Sequence, residues 1–232
     1  MTTHHDVSRV AKPLYSTLLT PKTVNCDEIA NTFTSAFGDD PVFEYFRRKL
    51  TSHQRHMQDK RLFSEFGRVT ALQGLCYEVD DYACVTCWYA PHVEITSHIF
   101  TTGIAGKMLQ TPLTFLKRLL IDYVPRADSA KAKYLKFIEY DKKLGYYYLL
   151  IAGTRKDKQG QGLLKHNMLP VLEEADSKGI LCWLESSKES NVPIYERFGF
   201  KIVDTFHLKD KVATVPVYCM ARLPQPSPPN AM

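Results

Sequence analysis

Two short stretches hold the residue types whose spacing can do chemistry. In the first, Gln159-Gly160-Gln161-Gly162 stands between an apolar run ending near Thr154 and a helical pattern beginning at Leu163. Glycine lets a ligand approach the backbone closely, because no Cβ stands in the way. A helix start offers unpaired N–H groups and the positive end of the helix dipole, and both favour phosphate. Strand, Gly-x-Gly loop and helix in that order therefore describe a phosphate cradle, although an ordinary tight turn has the same look. Spacing excludes two common cradles. A dinucleotide-binding fingerprint needs a third glycine where this chain has Lys165, and a P-loop needs Gly-Lys-Ser/Thr, which is absent. The second stretch is Trp183-Leu184-Glu185-Ser186-Ser187 followed by Asn191-Val192-Pro193-Ile194-Tyr195-Glu196-Arg197-Phe198-Gly199-Phe200.

Other reactive groups carry weaker signals. Cys84-Val85-Thr86-Cys87 has the spacing of a metal or redox pair. It lies in a strand-like run, where residues three apart point to opposite faces, and two ligands do not complete a site. His53 and His56 share a helix face with no third ligand nearby, which suits surface histidines. No metal cofactor is expected. The six cysteines accompany an N-terminus without the apolar stretch of a secretory signal, so reduced thiols and a cytosolic location are expected. No run of about 18 apolar residues occurs, so no membrane partner is expected. A net charge of +5 is spread over short clusters such as Arg47-Arg48-Lys49. It forms no basic stripe with interleaved aromatics, so nucleic acid is not an expected partner.

The elements that must position the two stretches follow from periodicity. With 232 residues, the chain fits one domain, 1–223, with a Pro-rich, disordered tail at 224–232. Leu14–Thr20 reads as a strand and Cys26–Phe37 as a helix burying Ile29, Phe33 and Phe37. Asp39-Asp40-Pro41 opens a second helix, and Thr51–Phe66 is a polar, helix-prone stretch. Thr70–Val79 and Ala83–Ala90 read as paired strands. Residues 92–145 form a long insert in which Thr114–Val124 has helical spacing and Pro125 is expected to end the helix. Tyr146–Ala152 reads as a central strand and Leu163–Lys178 as a helix kinked at Pro170 and ended by Gly179. Ile180–Leu184, a short helix from Val192, and strands near Lys201–His207 and Ala213–Arg222 complete the chain. The order of elements predicts a mixed α/β sheet flanked by helices.

Together the two stretches resemble the GNAT N-acetyltransferase superfamily, and within it the puromycin N-acetyltransferase type. The resemblance rests on Asp157, Gln159, Gly160 and Gly162, on Leu184-Glu185-Ser186-Ser187, and on Asn191, Pro193, Tyr195-Glu196-Arg197 and Gly199-Phe200. Ala36-Phe37-Gly38-Asp39-Asp40-Pro41 and Trp88-Tyr89-Ala90-Pro91 are also similar to that type. The likeness is strong over 147–203, patchy over 25–91 and unclear over 92–145. Three residues depart from the wider superfamily pattern: Asp157 for Gln or Arg, which the puromycin type tolerates, Thr154 for Val, and Lys156 for Pro.

The resemblance implies a GNAT-like, mostly antiparallel sheet whose splayed central strands hold acetyl-CoA. The pantetheine arm would pair with the backbone of Ala152, Gly153 and Thr154, and the pyrophosphate would sit on the N–H groups of Gln159, Gly160, Gln161, Gly162, Leu163 and Leu164. Tyr195 is the implied acid for the departing thiolate; a core tyrosine is the bland alternative. Asn191 would hydrogen-bond the pantetheine arm or cap its helix, or both. A neutral amine must attack, so a base is needed. Glu185 is the first candidate for it, and Glu139 and Asp141 follow, with solvated surface carboxylates as their alternative. The implied reaction is direct transfer to an amine through a ternary complex, with a small molecule as the expected acceptor. A protein acceptor, or a non-catalytic acyl-CoA-binding module, is the rival reading. An enclosed aromatic pocket would favour the small amine, and an open acidic groove the protein. Residues 92–145 are expected to shape the acceptor site, with Phe115, Tyr123 and Tyr134 as possible lining.

Overall fold

The structure, a computed structural model, describes residues 14–73, 75–93 and 111–226. Part of the insert, 94–110, and most of the tail, 227–232, lie outside the described residues. No described helix is long and apolar enough to cross a membrane.

Strands β1 (Thr17–Leu19), β2 (Cys76–Val79), β3 (Cys84–Tyr89), β4 (Tyr147–Thr154), β5 (Cys182–Ser186), β6 (Lys201–Lys209) and β7 (Thr214–Arg222) form one sheet. Their order is β1-β2-β3-β4-β5-β7-β6. Every neighbouring pair is antiparallel except β4 and β5, which run parallel. The expected mixed, mostly antiparallel sheet is therefore the fold. Strand β4 occupies its centre.

Helices α1 (Cys26–Ala36), α2 (Pro41–Arg47) and α3 (Ser52–Leu72) precede β2. Each opens on a residue suited to satisfying free N–H groups. The Asn25 side chain accepts from Asp27 and Glu28, and Asp40 accepts from Val42 and Phe43. Thr51 and Gln54 form a reciprocal capping box. The α3 helix runs to Leu72, so Thr70–Leu72 is its last turn rather than the start of a strand. Thr70 bonds its hydroxyl back to the Phe66 carbonyl at 2.7 Å, and Val69 and Ala71 are buried. The helix is kept by this inward face, although its β-branched residues favour a strand locally.

The insert forms α4 (Leu113–Lys117), a π-helical turn (Arg118–Tyr123) and α5 (Val124–Phe137). Pro125 does not end a helix; it lies in the first turn of α5. The helical run continues unbroken from the π turn into α5, so a proline there lacks an N–H that the ladder would otherwise use, and the π turn just before it is where the ladder adjusts. The π turn just before it bonds the Val124 N–H to the Leu119 carbonyl, five residues back. Its side chains are anchored outside the insert: Tyr45 donates to Asp122 at 2.8 Å, and Arg118 reaches Asp210 at 3.0 Å.

After β4, α6 (Leu163–Lys178) crosses one face of the sheet, and α7 (Val192–Glu196) follows β5. The α6 helix begins at Leu163 and runs on through Pro170 to Gly179, whose φ of +68° is the left-handed cap that glycine supplies. Met168, Val171, Leu172 and Ala175 pack against Trp88, Tyr147, Leu149 and Leu184. Buried Asn167 pins α6 to the sheet, donating to the Cys84 carbonyl at 2.9 Å and the Tyr77 carbonyl at 3.2 Å. Helices α1 and α3 bury Ile29, Phe33 and Phe63 against Val85, Cys87 and Ile151. Cys84 packs instead with Val79, Ala83 and Leu163, so the two cysteines of the Cys-x-x-Cys pair lie in different parts of the core.

A bulge at the centre of β4 was not expected. Cys87 stands opposite Ile151, but the next residue, Trp88, stands opposite Leu149, and Leu150 is skipped. The extra residue reverses the faces of the strand. Tyr147 and Leu149 point to α6, whereas Ile151 points to α1 and α3. Gly153 allows α1 to lie against this end of β4: a Cβ there would come within 2.8 Å of Phe33 and 3.1 Å of Ala36.

Candidate active site

Strands β4 and β5 pair only through Tyr147–Cys182, Tyr148–Trp183 and Leu149–Leu184. Beyond the bulge the two strands part. The β5-facing side of Ala152, Gly153 and Thr154 is left without a strand partner, which is the geometry an added extended chain needs.

The loop after β4 turns through Gly160 at φ +78° and Gly162 at φ +75°. No atom lies within 4 Å of a Cβ built on either one, so the space beside both is open. Gly162 is the N-cap of α6, with no side-chain cap and no acidic residue in the first turn. The N–H groups at this helix start are therefore uncovered by carboxylates, as an anion cradle requires. The Gln159 side chain ties the loop to the strand end by donating to the Thr154 carbonyl at 3.1 Å. Gln161 is exposed, Leu163 is buried and Leu164 is half-buried against the core.

The segment between α1 and α2 spans the mouth of the gap. Asp39 receives Lys156, from the loop after β4, at 3.0 Å and Lys188, from the loop after β5, at 2.7 Å. The hydrogen bonds from these two lysines hold the Asp39 carboxyl down to about 2. Asp40 is buried, and Ser187 donates to its second oxygen. Burial pushes the Asp40 carboxyl above its ordinary range, against the Ser187 hydrogen bond.

A cavity of about 310 Å³ adjoins the gap. Ala152, Leu184, Glu185, Asn191 and Tyr195 line it from the sheet side. Phe43, Phe46, Phe66, Phe115, Leu119 and Tyr123 line it from the helices. The structure thus gathers Tyr195, Glu185, Asn191 and Ala152 around one aromatic-lined cavity. Phe115 and Tyr123 join them. Tyr134 does not; it packs on Trp183, with ring centroids 6.0 Å apart. Glu139 and Asp141 are exposed and off the cavity, and Asp141 caps a short helical turn by accepting from the Lys143 N–H.

Tyr195 packs edge-on to Phe200 at 6.2 Å, and its hydroxyl has no hydrogen-bond partner among the described residues. Burial, with smaller contributions from Cys84 and Asp40, pushes its phenol well above the ordinary value. Asn191 stands at the N-cap of α7, but its side chain makes no capping bond, so its amide is uncommitted.

Glu185 is held from two sides. Tyr148 donates to one carboxylate oxygen at 2.7 Å, and the Trp183 indole donates to the other at 2.6 Å. Burial pushes its carboxyl up, while the Tyr148 and Trp183 hydrogen bonds and the Lys131 charge oppose the shift. The Lys131 ammonium lies 5.0 Å and 5.3 Å from the centroids of Tyr146 and Tyr148. Its own value is raised: burial works against this, but Tyr146 and Glu185 outweigh it. Sequence reasoning missed Tyr148, which lines the cavity and orients Glu185. Its only signal was position in an aromatic strand.

No protein-family profile matches the chain. An uncharacterized N-acetyltransferase of Schizosaccharomyces pombe is 28% identical over 198 residues, covering 84% of this chain and 78% of the relative. Among solved structures, arylalkylamine N-acetyltransferase 2 from Aedes aegypti is similar at a TM-score of 0.62 and 13% identity, over 92% of this chain and 100% of the other. A structure described as histone acetyltransferase HPA2 and related acetyltransferase, from Corynebacterium glutamicum, is similar at 0.61 and 16%, over 94% and 99%. The Drosophila melanogaster polyamine N-acetyltransferase is similar at 0.59 and 9%, over 91% and 100%. The architecture is that of the GNAT acetyltransferases. The curated relative and the three solved structures are all named as acetyltransferases.

Proposed function

We propose that this chain is an acetyl-CoA-dependent N-acetyltransferase acting on a small primary amine. The observation that carries the reading is the junction of two spaces: a gap between parted β4 and β5 leading to an uncapped helix start, and an aromatic-lined cavity reached by Glu185 and Tyr195. The residues present fit the coenzyme. The free side of Ala152–Thr154 receives the pantetheine arm, Asn191 supplies an amide to it, and the turn Gln159–Leu164 receives the pyrophosphate. The coenzyme supplies the acetyl thioester. Glu185 takes a proton from the incoming amine, and Tyr195 gives one to the sulfur as the C–S bond breaks and the N–C bond forms. Backbone N–H groups near Ala152–Thr154 face the developing oxyanion.

A small-molecule acceptor is supported by the cavity lining, which is mainly aromatic and aliphatic rather than acidic. The relatives named for arylalkylamines and polyamines, and the motif likeness to the puromycin type, support that choice by analogy. The insert 92–145 forms the acceptor wall through Phe115, Leu119 and Tyr123. A single domain over 1–223 and a cytosolic location, consistent with its free cysteines, complete the proposal. The test is release of free thiol from acetyl-CoA across a panel of aromatic, aliphatic and peptide amines. Turnover with peptides alone would replace this reading by the protein-acetylating one, and tight coenzyme binding without turnover would replace it by the binding module.

The cradle is tested separately. Gly162→Asn keeps a residue that tolerates positive φ but puts a side chain into the open space beside the helix start. It is expected to weaken acetyl-CoA binding by about tenfold or more, the loss of roughly one charge-assisted hydrogen bond. Calorimetric titration of the folded variant reads this, and an unchanged affinity would remove the pyrophosphate from this turn.

A further inference from the structure

The α3 helix presents Gln58, Arg61, Leu62, Glu65 and Val69 along one side of the cavity. This helical stripe faces inward, yet three of its five residues are polar. Gln58 is only 4% exposed. Its amide oxygen is enclosed and accepts no hydrogen bond among the described residues. A buried acceptor without a donor is costly, and side chains in that state are expected to have a partner. Nothing in the packing of α3 asks for glutamine here, since Leu62 and Val69 on the same stripe are apolar. The missing donor is supplied by whatever fills the cavity.

The charges beside Gln58 narrow the choice. Arg61 lies on the same stripe, and the Glu65 carboxylate already receives the Arg68 guanidinium at 2.6 and 2.9 Å. No uncommitted anion waits at this wall for a second ammonium group. The remaining wall is aromatic, with Phe43, Phe46, Phe66 and Phe115 turned to the space. Helix α3 packs with α1, β2 and β3, whereas Glu185 and Tyr195 belong to β5 and α7, so Gln58 reads a different part of the ligand from the reacting nitrogen.

We infer that Gln58 sets acceptor specificity, accepting a hydrogen bond from a neutral hydroxyl or N–H group on a ring-bearing primary amine whose amino group faces Glu185. The inference rests on the acetyltransferase reading and names its substrate class. A site built to hydrogen-bond a substrate group discriminates strongly against analogues that lack it, because the protein group is then left unpaired. A linear diamine fits poorly, having neither the ring nor a neutral donor.

The experiment compares three acceptors: 2-phenylethylamine, its para-hydroxylated analogue and a linear diamine of similar length. Each is assayed with the wild type and with Gln58→Leu; Gln58→Met serves as an unbranched second variant should Leu fold poorly. The wild type is expected to prefer the hydroxylated amine over the plain one by about tenfold or more in kcat/KM. The variant is expected to lose that preference while keeping its turnover of the plain amine. The change should fall mainly on KM, because a contact remote from the reacting atoms is made equally in ground and transition states. No preference in the wild type, a preference that survives in both variants, or a wild type that favours the diamine would overturn the inference alone. Failure to acetylate any amine would overturn the acetyltransferase reading and this inference with it.

Discussion

Tyr195→Phe is expected to lower turnover by about a hundredfold or more while leaving the protein folded, within the usual range for loss of a general acid. The substitution removes one oxygen and keeps the ring, so the edge-on contact with Phe200 remains. The hydroxyl has no partner among the described residues, so its loss strands no buried group. Affinity for acetyl-CoA should change little, since the lost contact acts in the transition state. A pH profile gives the sharper test. Burial raises the phenol above its ordinary value, so it keeps its proton through neutrality and gives it up only at high pH. Wild-type turnover should therefore hold through moderately alkaline pH with no decline from this phenol, and a decline there that Tyr195→Phe abolishes would overturn the effect of its burial. A variant with near-normal turnover, measured where product release is fast, would make Tyr195 a packing residue and give the proton to water.

Glu185→Gln is expected to cost about a hundredfold in turnover as well, with its signature at the opposite end of the profile. A base must be ionised to accept a proton from the amine. Burial raises the Glu185 carboxyl, so the acid form persists to higher pH than for an ordinary carboxylate, and activity should be lost as pH falls through that raised value. Glutamine can keep its carbonyl oxygen toward the Trp183 indole and turn its amide N–H to the Tyr148 hydroxyl, which then accepts, but it cannot act as a base, and the acid limb should disappear. If the limb persists unchanged in Glu185→Gln, it reports ionisation of the amine itself, and Glu185 serves only to hold Tyr148 in place.

The second half of the chain was legible because its signals are local. The helix at Leu163–Lys178 is bounded by a glycine at each end, and its inward residues recur at helical spacing. Gly160 and Gly162 could be assigned to a turn before any coordinates, because few other residues adopt positive φ without strain. The misreadings occur where distant packing decides. Val69–Leu72 has strand-like composition, but the core beneath α3 keeps it helical. Pro125 follows a helical pattern and reads as a stop, but the π turn before it lets the helical run continue through it. The Leu150 bulge adds a residue that leaves no trace in an apolar strand. The cavity itself is assembled from α2, α3, the insert, α7 and strands β3, β4, β5 and β7, and no local pattern announces that meeting. Gln58 was least visible of all, since glutamine in a polar helix reads as a solvated residue.

The π turn at Arg118–Tyr123 can be viewed as an insertion held in place. Each residue of an α-helix advances the chain by about 100° around its axis, so one surplus residue shifts the phase of everything that follows. Here the surplus is absorbed between α4, which contributes Phe115 to the acceptor wall, and α5, which contributes Lys131 to the surroundings of Glu185. The two thereby keep the phase they would have in one unbroken helix. Removing one residue from the turn is expected to close it to α-helical geometry and leave Lys131 aimed at Glu185, with the sheet and the coenzyme gap untouched. The turn is therefore a place where such a scaffold can gain or lose a residue while Phe115 and Lys131 keep their aim.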